Sequence, residues 1–257
     1  MNIRFDGKTA IVTGSARGIG YACADLMAES GAKVAMLDIL GDRLEDSAKK
    51  LQAKGGVAKP YAIDLTKTAD VRALVTRIRK EMGEIDVLIQ VAALGPQRYA
   101  EDITEEEWDK VFDINSKAYF FMSQAVTGQS MIPRKTGSIV NFCSIAGLVG
   151  MRAPLCSHHY SASKGAVAQI TKQGAIEWAR HGIRVNAVAP GGCLTEMTQS
   201  MIGTPENLKE ACALVPLGRL SQPHEVASGV VFLASDAASM ITGQILVIDG
   251  GGFAMGF

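Results

Sequence analysis

Tyr160 and Lys164 stand four residues apart in Tyr160-Ser161-Ala162-Ser163-Lys164. On a helix that spacing puts a phenol and an ammonium on one face, one turn from each other. A phenol with its ordinary pKa of about 10 is a poor base near neutrality, whereas a fixed positive charge beside it favours phenolate. The same spacing also describes a solvated pair, so the reading depends on its neighbours. Ser144 closes the apolar run Gly137–Cys143, where the carboxyl edge of a sheet would hold its hydroxyl beside a bound ligand. Together the three side chains suggest a phenol able to exchange protons near neutrality, with a hydroxyl held close by.

A second group concerns phosphate and ribose. Thr13-Gly14-Ser15-Ala16-Arg17-Gly18-Ile19-Gly20 directly follows an apolar run and opens a helical stretch, so its glycines allow the backbone to approach a pyrophosphate at a helix N-terminus. The spacing differs from G-x-G-x-x-G, and glycines between a strand and a helix also serve close packing. Asp38 ends the next apolar run, eighteen residues past Gly20, near the separation at which an acid meets an adenosine ribose. A carboxylate there accepts from both ribose hydroxyls and repels a 2′-phosphate, which favours NAD over NADP. Arg17 pulls the other way, because a guanidinium pairs with a 2′-phosphate. Asp64, followed by Leu65, ends the third run and either reaches an adenine amino group or caps a helix.

The elements that must position these groups alternate along the chain. Seven short apolar runs read as strands: Thr9–Thr13, Lys33–Asp38, Val57–Ala62, Val87–Val91, Gly137–Cys143, Arg184–Ala189 and Gln244–Ile248. Between them, Leu44–Lys54, Ala69–Met82, Glu105–Val126, Ala162–Arg180 and Glu225–Leu233 carry apolar residues at three- and four-residue spacing, the pattern of amphipathic helices. Thr104 with Glu107 marks a helix start, and Gly31, Gly83 and Gly182 follow helix ends. Such alternation predicts an α/β fold: one doubly wound, seven-stranded parallel sheet covered by helices on both faces, in a single domain over residues 1–257. Residues 192–220 interrupt the rhythm and read as a substrate-loop insertion after a strand's carboxyl end.

In order and spacing the chain resembles the short-chain dehydrogenase/reductases along essentially its whole length. The resemblance rests on Thr13-Gly14-(x)3-Gly18-Ile19-Gly20, Asp38, Asp64, Asn115, Ser144, Tyr160-x-x-x-Lys164, Pro190-Gly191 and Asp249-Gly250-Gly251. It implies a Rossmann-like fold and an NAD-dependent alcohol dehydrogenase or ketone reductase that works without a metal. Tyr160 would be the general acid/base and Ser144 would bond the substrate oxygen. Lys164 would lower the tyrosine's pKa and hold the nicotinamide ribose, and Asn115 would anchor a water through which the proton escapes. Gly14, Ser15, Arg17, Gly18, Ile19, Gly20, Asp38, Asp64, Leu65, Val91 and Ala92 would contact the nucleotide, while Pro190, Gly191, Cys193 and Thr195 would orient the carboxamide. A homotetramer is implied, with the apolar tail Phe253–Phe257 suited to its interfaces.

Two departures accompany the resemblance. Gln90-Val91-Ala92-Ala93 replaces the family's Asn-Asn-Ala-Gly, which predicts altered bracing of the central sheet. The gap of sixteen residues from Ser144 to Tyr160 predicts an enlarged loop over the substrate. Leu94, Leu148, Val149, Met151, Leu155 and Met197 around the expected pocket favour an apolar, cyclic or hydroxyacyl substrate; a polyol or sugar, or a catalytically silent partner subunit, are the alternatives. Other residues have two readings each. His158 and His159 either tune the tyrosine or merely fill a loop; Cys143 and Cys156 are reactive or buried; Met197 and Met201 form a lid or pack; Arg98 and Arg152 grip an anion or are solvated.

Composition narrows the partners. Twenty-six basic and 26 acidic residues cancel, leaving no electrostatic footprint for nucleic acid or an anionic membrane. No apolar stretch approaches the eighteen or so residues of a membrane span, so a cytoplasmic protein acting on a small molecule is expected. The five cysteines show no CxxC pair, which suggests neither a disulfide framework nor a metal site.

Overall fold

The computed structural model describes residues 3–151 and 157–255, with the side chains of Met197, Ser200 and Met201 set aside. Arg152, Leu155, Cys156 and the end of the apolar tail therefore lie outside the described residues. Within the strands, neighbouring apolar residues point to opposite faces. Ala10, Val12, Val34, Met36 and Ile89 join one core, and Ile11, Ala35, Leu37 and Leu88 join the other. A strand buried on both faces has to be mostly apolar, which is why Thr9–Thr13 and the middle of Lys33–Asp38 lack a polar alternation, whereas the edge strand Val57–Ala62 alternates exposed and buried residues.

The seven strands are β1 Thr9–Thr13, β2 Lys33–Asp38, β3 Val57–Ala62, β4 Ile85–Gln90, β5 Gly137–Phe142, β6 Ile183–Pro190 and β7 Ile245–Ile248. They form one parallel sheet in the order β3-β2-β1-β4-β5-β6-β7. The helices are α1 Gly18–Glu29, α2 Gly41–Ala53, α3 Thr68–Met82, α4 Glu105–Phe112, α5 Ala118–Val126, α6 Ile132–Arg134, α7 His158–Ala179, α8 Glu196–Ile202, α9 Pro205–Ala213 and α10 Pro223–Ala234. Cys23 and Met27 of α1 pack with Val226 and Val230 of α10 in the first core. Val71, Val75 and Ile78 of α3 pack with Met122 and Val126 of α5 in the second. This is the doubly wound, Rossmann-like sheet anticipated from the sequence. Its order reverses between β1 and β4, and the crevice at the carboxyl ends of those strands is where such sheets take ligands.

Three elements differ from the sequence reading in ways that matter to the site. The stretch expected as one helix over 105–126 is broken by a π-helical segment, Asp113–Lys117, around Asn115. Helix α7 starts at His158, four residues before the expected Ala162, so Tyr160 and Lys164 ride on one continuous helix and the paired histidines are helical. The 192–220 insertion folds into α8 and α9. Each is started by a threonine, Thr195 or Thr204, whose hydroxyl accepts an N–H three residues on, the usual N-cap bond. At α4 the Thr104–Glu107 capping box forms as expected.

Candidate active site

At the end of β1, Gly14 and Gly18 adopt φ of 65° and 58°, conformations that favour glycine. A β-carbon on Gly14 would stand 2.8 Å from the Ala92 backbone, and one on Gly20 would collide with the Gly14 carbonyl. The Thr13 hydroxyl accepts from the N–H groups of Val91 (3.0 Å) and Ala92 (3.2 Å), which fixes the ends of β1 and β4 side by side. Ser15 is buried and its N–H donates to Leu37 O (3.2 Å), while Ile19 packs on the first core. Arg17 occupies the N-cap position of α1 without a side-chain cap. Among the described residues no side chain caps the first N–H groups of the helix, and the turn fits a dinucleotide pyrophosphate.

Asp38 sits beside this turn, where its Oδ2 accepts the Ala16 N–H at 3.0 Å and its Oδ1 the Leu40 N–H at 3.1 Å. Arg17 donates to Glu196 of α8 at 3.3 Å, and Arg43 of α2 reaches the other oxygen of the same carboxylate. Arg43 holds Glu196 below the ordinary carboxylate range, with Arg17 adding to the effect. Asp64 bonds both the N–H and the hydroxyl of Thr66 (3.0 and 2.7 Å) and its pKa is lowered by that residue. This turn lies before α3, so the helix-cap alternative does not hold; Leu65 is buried beside it.

Ser144 follows β5 and caps the short 3₁₀ turn Ile145–Gly147. Gly147 presses against α7 so closely that a β-carbon would lie 2.6 Å from the Lys164 carbonyl carbon, and this contact brings Ser144 to the helix. Tyr160 faces the cleft from the first turn of α7, its ring against Gly95, where a β-carbon would stand 3.4 Å from Cε2. The Lys164 ammonium is buried, donates to Phe142 O at 2.7 Å, and lies 5.8 Å from the Tyr160 ring centroid. Burial brings Lys164 down from 10.5 to about 8. Burial also raises the Tyr160 phenol above its ordinary value, with the Ser144 hydroxyl drawing it back. This corrects the expectation that Lys164 governs the phenol: within the chain itself the ammonium sits over the ring face and desolvation dominates.

Comparison with known proteins agrees with this geometry. The profile of a family described as enoyl-(acyl carrier protein) reductase matches residues 14–252. A 3-oxoacyl-[acyl-carrier-protein] reductase of Thermotoga maritima is 39% identical over 250 residues, which span 97% of this chain and 99% of that protein. The chain belongs to the short-chain dehydrogenase/reductase family. An NAD-dependent glycerol dehydrogenase of Listeria innocua is 40% identical over 248 residues, 95% of this chain and 93% of that one. The crystal structure of a gluconate 5-dehydrogenase from Burkholderia cenocepacia, in complex with NADP and tartrate, matches with a TM-score of 0.92 at 32% identity, across 99% of this chain and 98% of that one. As a short-chain dehydrogenase/reductase, the protein is an oxidoreductase that binds a nicotinamide dinucleotide.

The departure at Gln90 proves to be a working substitution. Its Nε2 lies within hydrogen-bond distance of Tyr119 O (3.1 Å), Ser123 Oγ (2.9 Å) and Asn141 Oδ1 (2.9 Å), three acceptors shared between two N–H groups, and Asn141 continues to Thr171 Oγ1 at 3.0 Å. One longer arm thus ties β4 to β5, α5 and, through Asn141, α7. Asn115 spends its side chain on Leu94 N and O (2.8 Å each) and Ser163 Oγ (3.0 Å), while Ser163 bonds back to Tyr160 O at 2.7 Å. Sequence reasoning missed Ser163, Gly95, Gly147 and Glu196. Only Ser163 left a signal, since a serine inside the Tyr-x-x-x-Lys motif reaches the carbonyl one turn behind it.

Pro190 ends β6, and the Gly191 N–H donates to Ile248 O at 3.0 Å. Cys193 is buried and bridges to Ser221, and its carbonyl accepts Thr195 N–H at 2.9 Å. Thr195 lies over the glycine turn, with Cγ2 3.5 Å from where a β-carbon of Gly18 would be. Cys143 donates to Lys164 O at 3.2 Å and burial raises its thiol pKa, so it is a structural cysteine. His158 is exposed, whereas His159 is buried against Ser157 Oγ (3.1 Å); neither is loop filling. Arg98 is engaged with Glu107 at 3.2 Å.

Proposed function

We propose that this protein is an NAD-dependent dehydrogenase/reductase that interconverts a secondary alcohol and a ketone. The observation that carries the reading is the meeting of Ser144, Tyr160 and Lys164 after β5, where the Ser144 and Tyr160 hydroxyls bond each other and the Lys164 ammonium lies over the Tyr160 ring. Ser144 donates a hydrogen bond to the substrate oxygen and steadies its charge. Tyr160, adjacent to Ser144, takes the alcohol proton in one direction and returns it in the other. The two N–H groups of Lys164 left over after Phe142 O hold the nicotinamide ribose hydroxyls. When bound, the nicotinamide supplies the hydride acceptor or donor and, oxidised, a further positive charge near the phenol. Asn115 contributes through its main chain, because its amide is already used and the π-helical turn loosens the carbonyl ladder there.

Asp38 supports NAD. It lies where a 2′-phosphate would meet a carboxylate, and the two nearby guanidiniums are already bound to Glu196. Pro190, Gly191, Cys193 and Thr195 orient the carboxamide; Asp64, Leu65, Val91 and Ala92 line the adenine and ribose side. The partly buried Leu148, Val149 and Met151 and the more exposed Leu94 favour an apolar, cyclic or hydroxyacyl substrate. A second reading, a polyol or sugar-acid substrate, is supported by the names of the Listeria and Burkholderia relatives.

The test is a panel of secondary alcohols, hydroxyacyl thioesters, polyols and sugar acids, each with NAD and with NADP, followed by nicotinamide absorbance. Turnover with NAD preferred by about tenfold or more is expected, with Asp38→Ala narrowing that preference by roughly a factor of ten, the scale of one lost charged contact. Preference for NADP in the unaltered protein would overturn the ribose argument. Nucleotide binding without turnover on any class would favour the silent-subunit alternative.

A further inference from the structure

A lysine that loses all contact with water needs partners for its charge, and Lys164 has few. It is 2% exposed, and its one hydrogen bond among the described residues is to Phe142 O of β5. The groups packed around it are Cys143 and Ser144 after β5, Gly147 in the 3₁₀ turn, Tyr160 on its own helix and Tyr119 from α5. Among the described residues none of these is a carboxylate, and the only titratable ones are the thiol and the two phenols. Both phenols present ring faces: the ammonium lies 5.2 Å from the Tyr119 centroid and 5.8 Å from that of Tyr160. Both distances fall within the range at which a ring quadrupole attracts a cation.

Tyr119 differs from Tyr160 in what its hydroxyl does. It is 2% exposed, and among the described residues its hydroxyl has no hydrogen-bond partner. Buried hydroxyls are usually paired, so what Tyr119 offers the lysine is its ring face and not its hydroxyl. Its backbone is fixed by Gln90, whose amide donates to the Tyr119 carbonyl at 3.1 Å, so the ring is delivered to the lysine by the same arm that replaces the usual sheet brace. We propose that Tyr119 is a positioning residue whose ring face keeps the Lys164 ammonium charged and in place beside Tyr160. The contact belongs to the chain alone; only its consequence for turnover rests on the proton-transfer reading above.

The experiment follows the ε-carbon resonance of Lys164 in ¹³C-lysine-labelled protein without nucleotide, assigned with Lys164→Met, as pH is raised. Tyr119 is replaced by phenylalanine and then by 4-fluoro-, 3,5-difluoro- and 3,4,5-trifluorophenylalanine, which keep the ring while draining its face of negative charge. Tyr119→Phe should leave the midpoint where it is, near 8. Each added fluorine should lower it, to a total of about half to one and a half pH units by the usual strength of a desolvated cation–ring contact. Tyr119→Leu should reproduce the full drop, and the near-isosteric fluorinated series decides the matter if that variant does not fold. A midpoint constant across the series, or a drop already complete in Tyr119→Phe, would overturn the proposal. Retention of turnover by Tyr160→Phe would instead sink the proton-transfer reading and leave the titration result standing.

Discussion

At the end of the cleft proposed to take the adenosine, Arg17, Arg43 and Glu196 are charged side chains 42%, 42% and 53% exposed and joined to one another. At the proton-transfer end, a single ammonium is buried with one carbonyl and two ring faces for company. Exposed pairs are screened by water and salt and are individually weak. A buried charge meets a large desolvation cost and depends on each partner it has. The nucleotide preference should therefore be easy to retune by single substitutions, and the catalytic end should tolerate almost none.

The largest expected effect is at Tyr160. Tyr160→Phe removes the phenolic proton that the proposed site exchanges with substrate, so turnover should fall about 10³-fold, within the span of general acid/base catalysis. Dissociation constants for NAD should change by no more than a few-fold, as measured by calorimetry. Turnover within tenfold of the unaltered protein would remove the phenol from the chemistry.

Lys164 tests the buried end through stability. Folding lowers its pKa from 10.5 to about 8, so between those values the unfolded chain binds more protons and stability from this group rises with pH. Below about 8 the folded protein carries the whole cost of the buried ammonium. Relative to Lys164→Met, the natural protein should therefore gain stability on going from pH 7 to pH 10, by about 2 kcal/mol for a shift of this size. Denaturant melts of both proteins at the two pH values measure it. A stability difference that is flat with pH would show that the ammonium is not desolvated.

The same contrast explains what the sequence made legible. The central strands are buried on both faces and so almost wholly apolar, while the edge strand β3 alternates exposed and buried residues; both patterns were readable, with the ends of β4 to β7 off by a residue or two. The glycine turn, Asp38, Ser144 and the Tyr160–Lys164 pair stood out because each proposed role admits few residue types at one spacing. Contacts between distant segments left no such trace. Nothing local marks Gly147 as the point where a loop meets α7, or Gly95 as the floor under a tyrosine ring. The π-helical segment at Asn115 was hidden because its residues are as helical in pattern as their neighbours; it goes with side-chain bonds to Leu94 and Ser163 across the cleft. Gln90 was noticed as a departure, yet that its amide would reach three partners depended on where Tyr119, Ser123 and Asn141 came to lie.

The smallest expected effect, and the sharpest test of the contrast, is at Glu196. Its carboxylate joins Arg17 of the glycine turn, at 3.3 Å, to Arg43 of α2, and so occupies the two guanidiniums that a 2′-phosphate would seek. Glu196→Gln removes the competing anion and leaves Asp38 in place. NADP should bind about two- to fivefold more tightly, the reach of an exposed ion pair, with NAD unchanged. Because the gain is carried by solvated charges, it should shrink as salt is raised from low to about 0.5 M. Equal tightening of both nucleotides would mean that Glu196 acts by holding α8 over the cleft and not by charge. Insensitivity of both would mean that the clasp contributes nothing, and that Asp38 alone separates the two nucleotides. A gain for NADP that survives high salt would break the comparison itself, since the adenosine end would then be as shielded from water as the lysine.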